Sequence, residues 1–204
     1  MKDILFYTIS LVTILNPIAA AAIMVSLVKF SEIPEVSKKT TLTVLVASVI
    51  TMFAGGYILK FFGINIPSIK AIGGVILLLM SIHMIQGRSI VAAKSTEEEH
   101  SAAQEKDDIA IIPLAIPILF GPGFITTIIV LNEKATTYIN KIELLIAIVL
   151  SSLITYISLR YANGVSKFLG MHGIKIVTRL MGLIIGAIAF LFLVSGVKAL
   201  WMGA

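Results

Sequence analysis

The chain has 204 residues, of which 58% are hydrophobic and 13% charged, with a net charge of +5 and a mean hydropathy of +1.03. Soluble domains carry roughly a quarter charged residues, so a chain this poor in charge cannot cover its apolar surface as a water-soluble globule. It has no cysteine, which excludes a disulfide framework and thiolate metal sites. Its basic residues fall between apolar runs, where they set membrane topology rather than collect nucleic acid.

A bilayer core about 30 Å thick needs about 20 apolar residues per helix. Six runs meet that length: Ile4–Val28, Thr41–Phe62, Ser68–Gln86, Ile109–Leu131, Ile142–Asn163 and Ile176–Leu200. The expected fold is an all-α integral membrane protein of six transmembrane helices. The first run follows Met1–Lys2–Asp3 directly and exceeds the apolar core of a signal peptide, so it is expected to remain as a span. Between the third and fourth runs, Arg88–Asp108 carries Glu97, Glu98, Glu99, Asp107 and Asp108. It reads as a solvated linker, with a regulatory or metal-collecting role as the alternative.

Charge counting orients the spans. The loops after spans one, three and five, with the adjoining span ends, hold 10 Lys and Arg: Lys29, Lys38, Lys39, Arg88, Lys94, Lys106, Arg160, Lys167, Lys175 and Arg179. The opposite side holds 6: Lys2, Lys60, Lys70, Lys134, Lys141 and Lys198. Positively charged loops stay in the cytoplasm, so both termini are expected outside.

The two halves resemble each other. Leu15–Asn16–Pro17 matches Phe120–Gly121–Pro122, and Lys60–Phe61–Phe62–Gly63–Ile64 matches Lys167–Phe168–Leu169–Gly170–Met171. Lys70–Ala71–Ile72–Gly73 matches Arg179–Leu180–Met181–Gly182, and Gly87 and Gly196 each follow fourteen residues after the last of these glycines. Residues 1–87 then form one three-helix repeat and 109–204 a second, joined by 88–108. An odd number of spans per half inverts the second half in the membrane, giving a 3+3 inverted repeat like that of many secondary transporters. Chance similarity among apolar helices is the alternative.

The most informative residues interrupt spans one and four. Asn16–Pro17 and Gly121–Pro122–Gly123 each lie about twelve residues into a span, roughly 18 Å deep at 1.5 Å per residue. Proline removes a donor and clashes with the carbonyl four residues back, here Thr13 and Ile118. Asn16 is a favoured N-cap and Pro17 suits the first helical position, so spans one and four read as broken helices. Each restart offers amides with partial positive charge, from Ile18, Ala19 and Ala20 and from Gly123, Phe124 and Ile125. The carbonyls freed on the other side of each break are complementary to an ammonium, so the pair suits a zwitterion. Gly123 is expected to admit close backbone approach. The alternative is that both prolines only kink their helices.

At these segments the sequence resembles the MarC family, whose members include small neutral amino-acid transporters of the SnatA type. The resemblance spans nearly the whole chain and is carried by Asn16–Pro17–Ile18 and by Pro113–Leu114–Ala115–Ile116–Pro117 running on to Gly121–Pro122–Gly123. It implies a six-span inner-membrane protein similar to amino-acid exporters of the lysine-exporter superfamily. The chain departs from the family pattern at Ala19 and Ala22, where a glycine and a proline are usual, and at Phe120 and Phe124, where alanine is usual. The two phenylalanines are expected to narrow the pocket.

No acidic residue lies centrally in any span, which argues against a carboxylate proton relay and against a cationic substrate. His83 is the one titratable ring inside a span, read as a packed residue with proton sensing as the alternative. Of Thr126 and Thr127, one is expected to line the cavity and the other to bond back within its helix. Gly182 and Gly186 form a G-x-x-x-G pattern for close helix packing, within the chain or across a homo-oligomer. No nucleophile motif, P-loop or metal-ligand cluster points to an enzyme. The expected function is a secondary transporter of small neutral amino acids such as glycine and alanine. It needs no cofactor, and coupling to Na⁺ through carbonyls and hydroxyls near Thr13 or Thr126, or to H⁺, is left open. A channel or facilitator for small solutes, or a non-transporting scaffold, is the alternative.

Overall fold

The computed structural model describes residues 2–87 and 109–203. The stretch Arg88–Asp108, expected as a linker, lies outside them. The described residues are nearly all helical: α1 (Lys2–Leu15), α2 (Pro17–Leu27), α3 (Ile33–Phe61), α4 (Ile66–Gln86), an irregularly coiled segment Ala110–Leu119, α5 (Pro122–Lys134), α6 (Tyr138–Arg160) and α7 (Ala162–Trp201). Five stretches are long and apolar enough to cross a membrane, α1 and α2 counting together as Asp3–Leu27. The segment Ala110–Leu119 and α5, inclined at 58°, make a sixth if read as one span.

Two helices are longer than their apolar runs predict. α3 starts at Ile33 rather than Thr41, because Pro34 opens its first turn and needs no hydrogen-bond acceptor there. α7 starts at Ala162 rather than Ile176, but its backbone breaks at Gly170 (φ 58°, ψ 177°), so its first residues form a separate short helix. Hydropathy could not reveal either extension, since both lie outside the hydrocarbon-length run.

The apolar surface is arranged as a bilayer requires. Large side chains such as Leu42, Phe53, Ile139, Leu183 and Phe190 are exposed on the outside of the bundle. Tyr57, Tyr138 and Trp201 are exposed at the ends of α3, α6 and α7 that share one side of the bundle, where amphipathic rings suit the headgroup layer. Small and hydroxylated residues turn inward: Ser37, Thr40, Ser48, Ser81, Ser151 and Thr155 are all buried. In lipid there is little hydrophobic gain from bringing helices together, so close approach and hydrogen bonds hold the bundle.

The longest interface joins α4 and α7, which run antiparallel. A Cβ on Gly74 would meet the Leu193 nitrogen at 2.5 Å, one on Gly182 would meet the Met84 Cβ at 2.9 Å, and one on Gly196 would meet the Ala71 nitrogen at 2.6 Å. Ser81 Oγ donates to the Gly182 carbonyl at 2.8 Å across the same seam. The G-x-x-x-G pattern of α7 is therefore used inside the chain. Around this pair, α1 and α2 pack on α6 and α7, while Ala110–Leu119 and α5 pack on α3 and α4.

Candidate functional site

The backbone turns left-handed at one non-glycine residue among those described, Asn16 (φ 48°, ψ 61°). Pro17 disfavours the right-handed helical conformation in the residue before it, and asparagine tolerates the left-handed one adopted here. The Asn16 N–H donates to the Val12 carbonyl at 2.9 Å, and its own carbonyl accepts from the Ala20 N–H at 3.1 Å. The chain therefore passes from α1 to α2 with a local break. At the break Pro17, four residues after Thr13, has no N–H to give the Thr13 carbonyl, and the first-turn amides of Ile18 and Ala19 have no acceptor within α2. Thr13, Asn16, Ala19 and Ala20 are all at most 5% exposed, and Ile18 is half-buried.

Asn16 occupies the cap position of α2, but its side chain makes no capping bond. This corrects the expected cap. A capping side chain needs an extended backbone to reach the amides of the first turn, and the left-handed turn denies it that reach. Its Nδ2 is left buried without any hydrogen-bond partner.

The second interruption is longer than the first. Ile112 and Ile116, each before a proline, adopt extended backbone angles inside Ala110–Leu119, as the pre-proline clash dictates. Pro113 and Pro117 thus interrupt span four before Gly121–Pro122 does. The pair of X-Pro steps was a readable signal of this that the expected break at Gly121 overlooked. Gly121 then turns extended (φ −94°, ψ 173°) and α5 restarts at Pro122. A Cβ at Gly121 would stand 2.9 Å from the Pro117 carbonyl oxygen, so the return of the chain requires glycine. The Gly121 carbonyl accepts from the N–H groups of Phe124 and Ile125 at 3.0 and 3.1 Å.

The side chains of this second break are committed to packing. Gly123 lies against α4, where a Cβ would meet Leu77 Cδ2 at 2.6 Å. The close approach that Gly123 was expected to admit is made here by Leu77 of α4. Thr126 packs onto Gly73 of the same helix. Thr127 Oγ1 bonds back to the Gly123 carbonyl at 2.8 Å, as expected of one threonine of the pair. Phe120 and Phe124 are buried edge to face, with ring centres 5.9 Å apart and planes at 74°. Leu77 was not singled out by sequence, and Gly73 only as part of the match between halves, since nothing local marks which helix a break will face.

The two breaks belong to neighbouring elements: α1 packs on α5, and α2 on Ala110–Leu119. A separate cleft of about 670 Å³ opens where α3 and α5 end and α4 and α6 begin, lined by Tyr57, Lys60, Asn65, Asn132, Glu133 and Lys141 among others. Asn132 Nδ2 donates to the Met52 carbonyl at 2.8 Å beside it. The cleft is not the break region: Asn132 stands about 15 Å along α5 from Pro122 at 1.5 Å per residue. Among the described residues no group of three or more His, Cys, Asp or Glu is placed to hold a metal ion. His83 is half-buried in the last turn of α4.

Helices of membrane length with lipid-ready exteriors and a small-residue, hydroxyl-lined interior define a multi-pass integral membrane protein. The chain belongs to the MarC family: the model for MarC family integral membrane proteins matches residues 1–201. It is 40% identical over 192 residues to a UPF0056 membrane protein of Methanocaldococcus jannaschii, covering 93% of each chain. It is 34% identical to a UPF0056 membrane protein of Aquifex aeolicus, over 94% of this chain and 91% of the relative. To the UPF0056 membrane protein YhcE of Escherichia coli it is 29% identical, over 97% of this chain and 93% of the relative. No solved structure matches the chain.

Proposed function

We propose that this protein is a secondary transporter of small neutral amino acids, such as glycine and alanine, which it binds as zwitterions between the two interrupted spans. The observation that carries the reading is the pairing of those interruptions: two neighbouring spans, each broken at a proline, with the buried unpaired amide of Asn16 at one break. Irregular backbone at membrane depth is tolerated where protein or a polar cavity receives its free groups. Broken helices at a repeat interface are the substrate sites of many carriers. The substrate class rests on the resemblance to SnatA-type members of the family.

On this reading, residues 1–87 and 109–204 are inverted repeats. Reciprocal packing supports it. α1 packs on α6 as Ala110–Leu119 packs on α3, and α2 packs on α7 as α5 packs on α4. α3 meets α6 and α4 meets α7, each pair being matched spans. The matched glycines Gly63 and Gly170 both have positive φ, 69° and 58°. Gly87 approaches Arg179 while its counterpart Gly196 approaches Ala71, next to Lys70, the counterpart of Arg179. The family resemblance implies the inner membrane, and the distribution of Lys and Arg favours both termini outside.

Burial of Thr13, Asn16, Ala19, Ala20, Phe124 and Thr126 favours a carrier over an open channel, since a channel keeps its path wet. Carbonyls and hydroxyls near Thr13 or Thr126 are the groups available to couple transport to Na⁺, with H⁺ coupling as the alternative. Proteoliposomes containing the purified chain should accumulate labelled glycine or alanine, with saturation and counterflow. Absence of uptake under imposed Na⁺, H⁺ and substrate gradients rejects the proposal, and large single-channel currents would make the protein a channel.

A further inference from the structure

We infer that the carboxylate of the transported amino acid is bound at the span-one break, by the amino end of α2 together with Asn16 Nδ2, and not at the span-four break. The inference rests on the amino-acid transport reading above and assigns the two ends of the zwitterion.

Two independent features converge on the first break. α2 is 11 residues long, and the amides of Ile18 and Ala19 at its start have no acceptor within the helix, so partial positive charge gathers there. Asn16, 5% exposed, holds a donor nitrogen with no partner at the same point. A buried donor without an acceptor is unfavourable, and a helix that keeps one invites a ligand to complete it. Residues Ile4 to Val28 contain no Lys or Arg, so an anion there must be met by amides. The left-handed backbone at Asn16 keeps its Oδ1 from accepting the first-turn amides of α2, so those amides stay open beside the unpartnered Nδ2.

The second break has a helix start of its own but lacks the side-chain donor: Gly121, at its cap position, has no side chain, and the Phe124 amide already donates to the Gly121 carbonyl. Gly123 is covered by Leu77, Thr126 by Gly73, and the Thr127 hydroxyl is bonded to the Gly123 carbonyl. What remains near the first break for the ammonium is acceptor oxygen, above all the Thr13 carbonyl, to which Pro17 offers no N–H.

The test uses the purified full chain in detergent and in proteoliposomes, with glycine as probe and glycinamide, which lacks the carboxylate, as its comparison. Asn16→Gly keeps the left-handed backbone without strain and removes the carboxamide with its donor. It should weaken glycine binding about tenfold, the effect of 1.4 kcal/mol, while eluting as folded protein. Asn16→Asp places an acceptor and a negative charge in the same volume. It should abolish glycine binding and reverse the preference toward glycinamide. Wild-type glycine affinity in both folded variants overturns the inference while leaving the transport reading intact. A wild-type chain that binds glycinamide as well as glycine also overturns the inference alone. Failure of the wild type to bind or move glycine or alanine overturns both.

Discussion

The backbone nitrogen of Leu193 lies 2.5 Å from the point where a Cβ on Gly74 would stand, and the Ala189 carbonyl oxygen lies 2.8 Å from it. Both obstacles are main-chain atoms of α7, so no rotamer change can relieve a larger residue. The α4–α7 seam is thus fixed by backbone approach.

Gly74→Ala should therefore destabilise the folded chain by about 1–3 kcal/mol, the usual range for overpacking. Gly56 on α3 offers a control, because a Cβ there meets nothing within 4 Å. Gly56→Ala should be neutral or stabilising by up to about 1 kcal/mol, since alanine is the better helix former. Thermal unfolding in detergent distinguishes them, and equal melting temperatures for the two variants would contradict the seam.

Gly123 and Leu77 should behave as a coupled pair. Gly123→Ala pushes a Cβ to 2.6 Å from Leu77 Cδ2, whereas Leu77→Ala leaves a void at a residue that is 0% exposed. The second change should cost about 2–5 kcal/mol alone. In the double variant the added methyl enters the space the leucine vacated, so the combined loss should be smaller than the sum by about 0.5–3 kcal/mol. Additive losses in a double-mutant cycle would mean that the two residues do not touch.

Phe120 and Phe124 stack edge to face beside the second break. If the transported molecule lies between the breaks, this pair limits its side chain. Phe120→Ala should let larger neutral amino acids such as valine and leucine compete with labelled alanine for uptake, where the wild type excludes them. Unchanged competition profiles, with the variant folded, would place the size limit elsewhere.

Much of the molecule was legible in its sequence because membrane insertion is a local property. A run near twenty apolar residues marks a span wherever it occurs, and the six runs found this way correspond to the membrane-length helices and the bent pair. Prolines act on their own neighbours, so the interruptions at Pro17 and Pro122 could be located without knowing the fold. The same rule, applied to Pro113 and Pro117, would have shown the extended turns at Ile112 and Ile116 as well.

Tertiary structure decided the rest. A span surrounded by lipid is apolar on every side, so the sequence carries little record of which face meets which partner. That Gly123 is spent on Leu77, that Thr126 lies on Gly73, and that Gly182 and Gly186 face α4 rather than a second copy depend on where distant helices come to rest. Asn16 shows the division most sharply. Its neighbour Pro17 determined from sequence alone that the helix must break there. Whether the asparagine oxygen would close that break as a cap depended on one backbone rotation, and the folded chain holds it at φ 48°, where no cap bond forms. That its Nδ2 is buried without a partner depends on the helices packed around it.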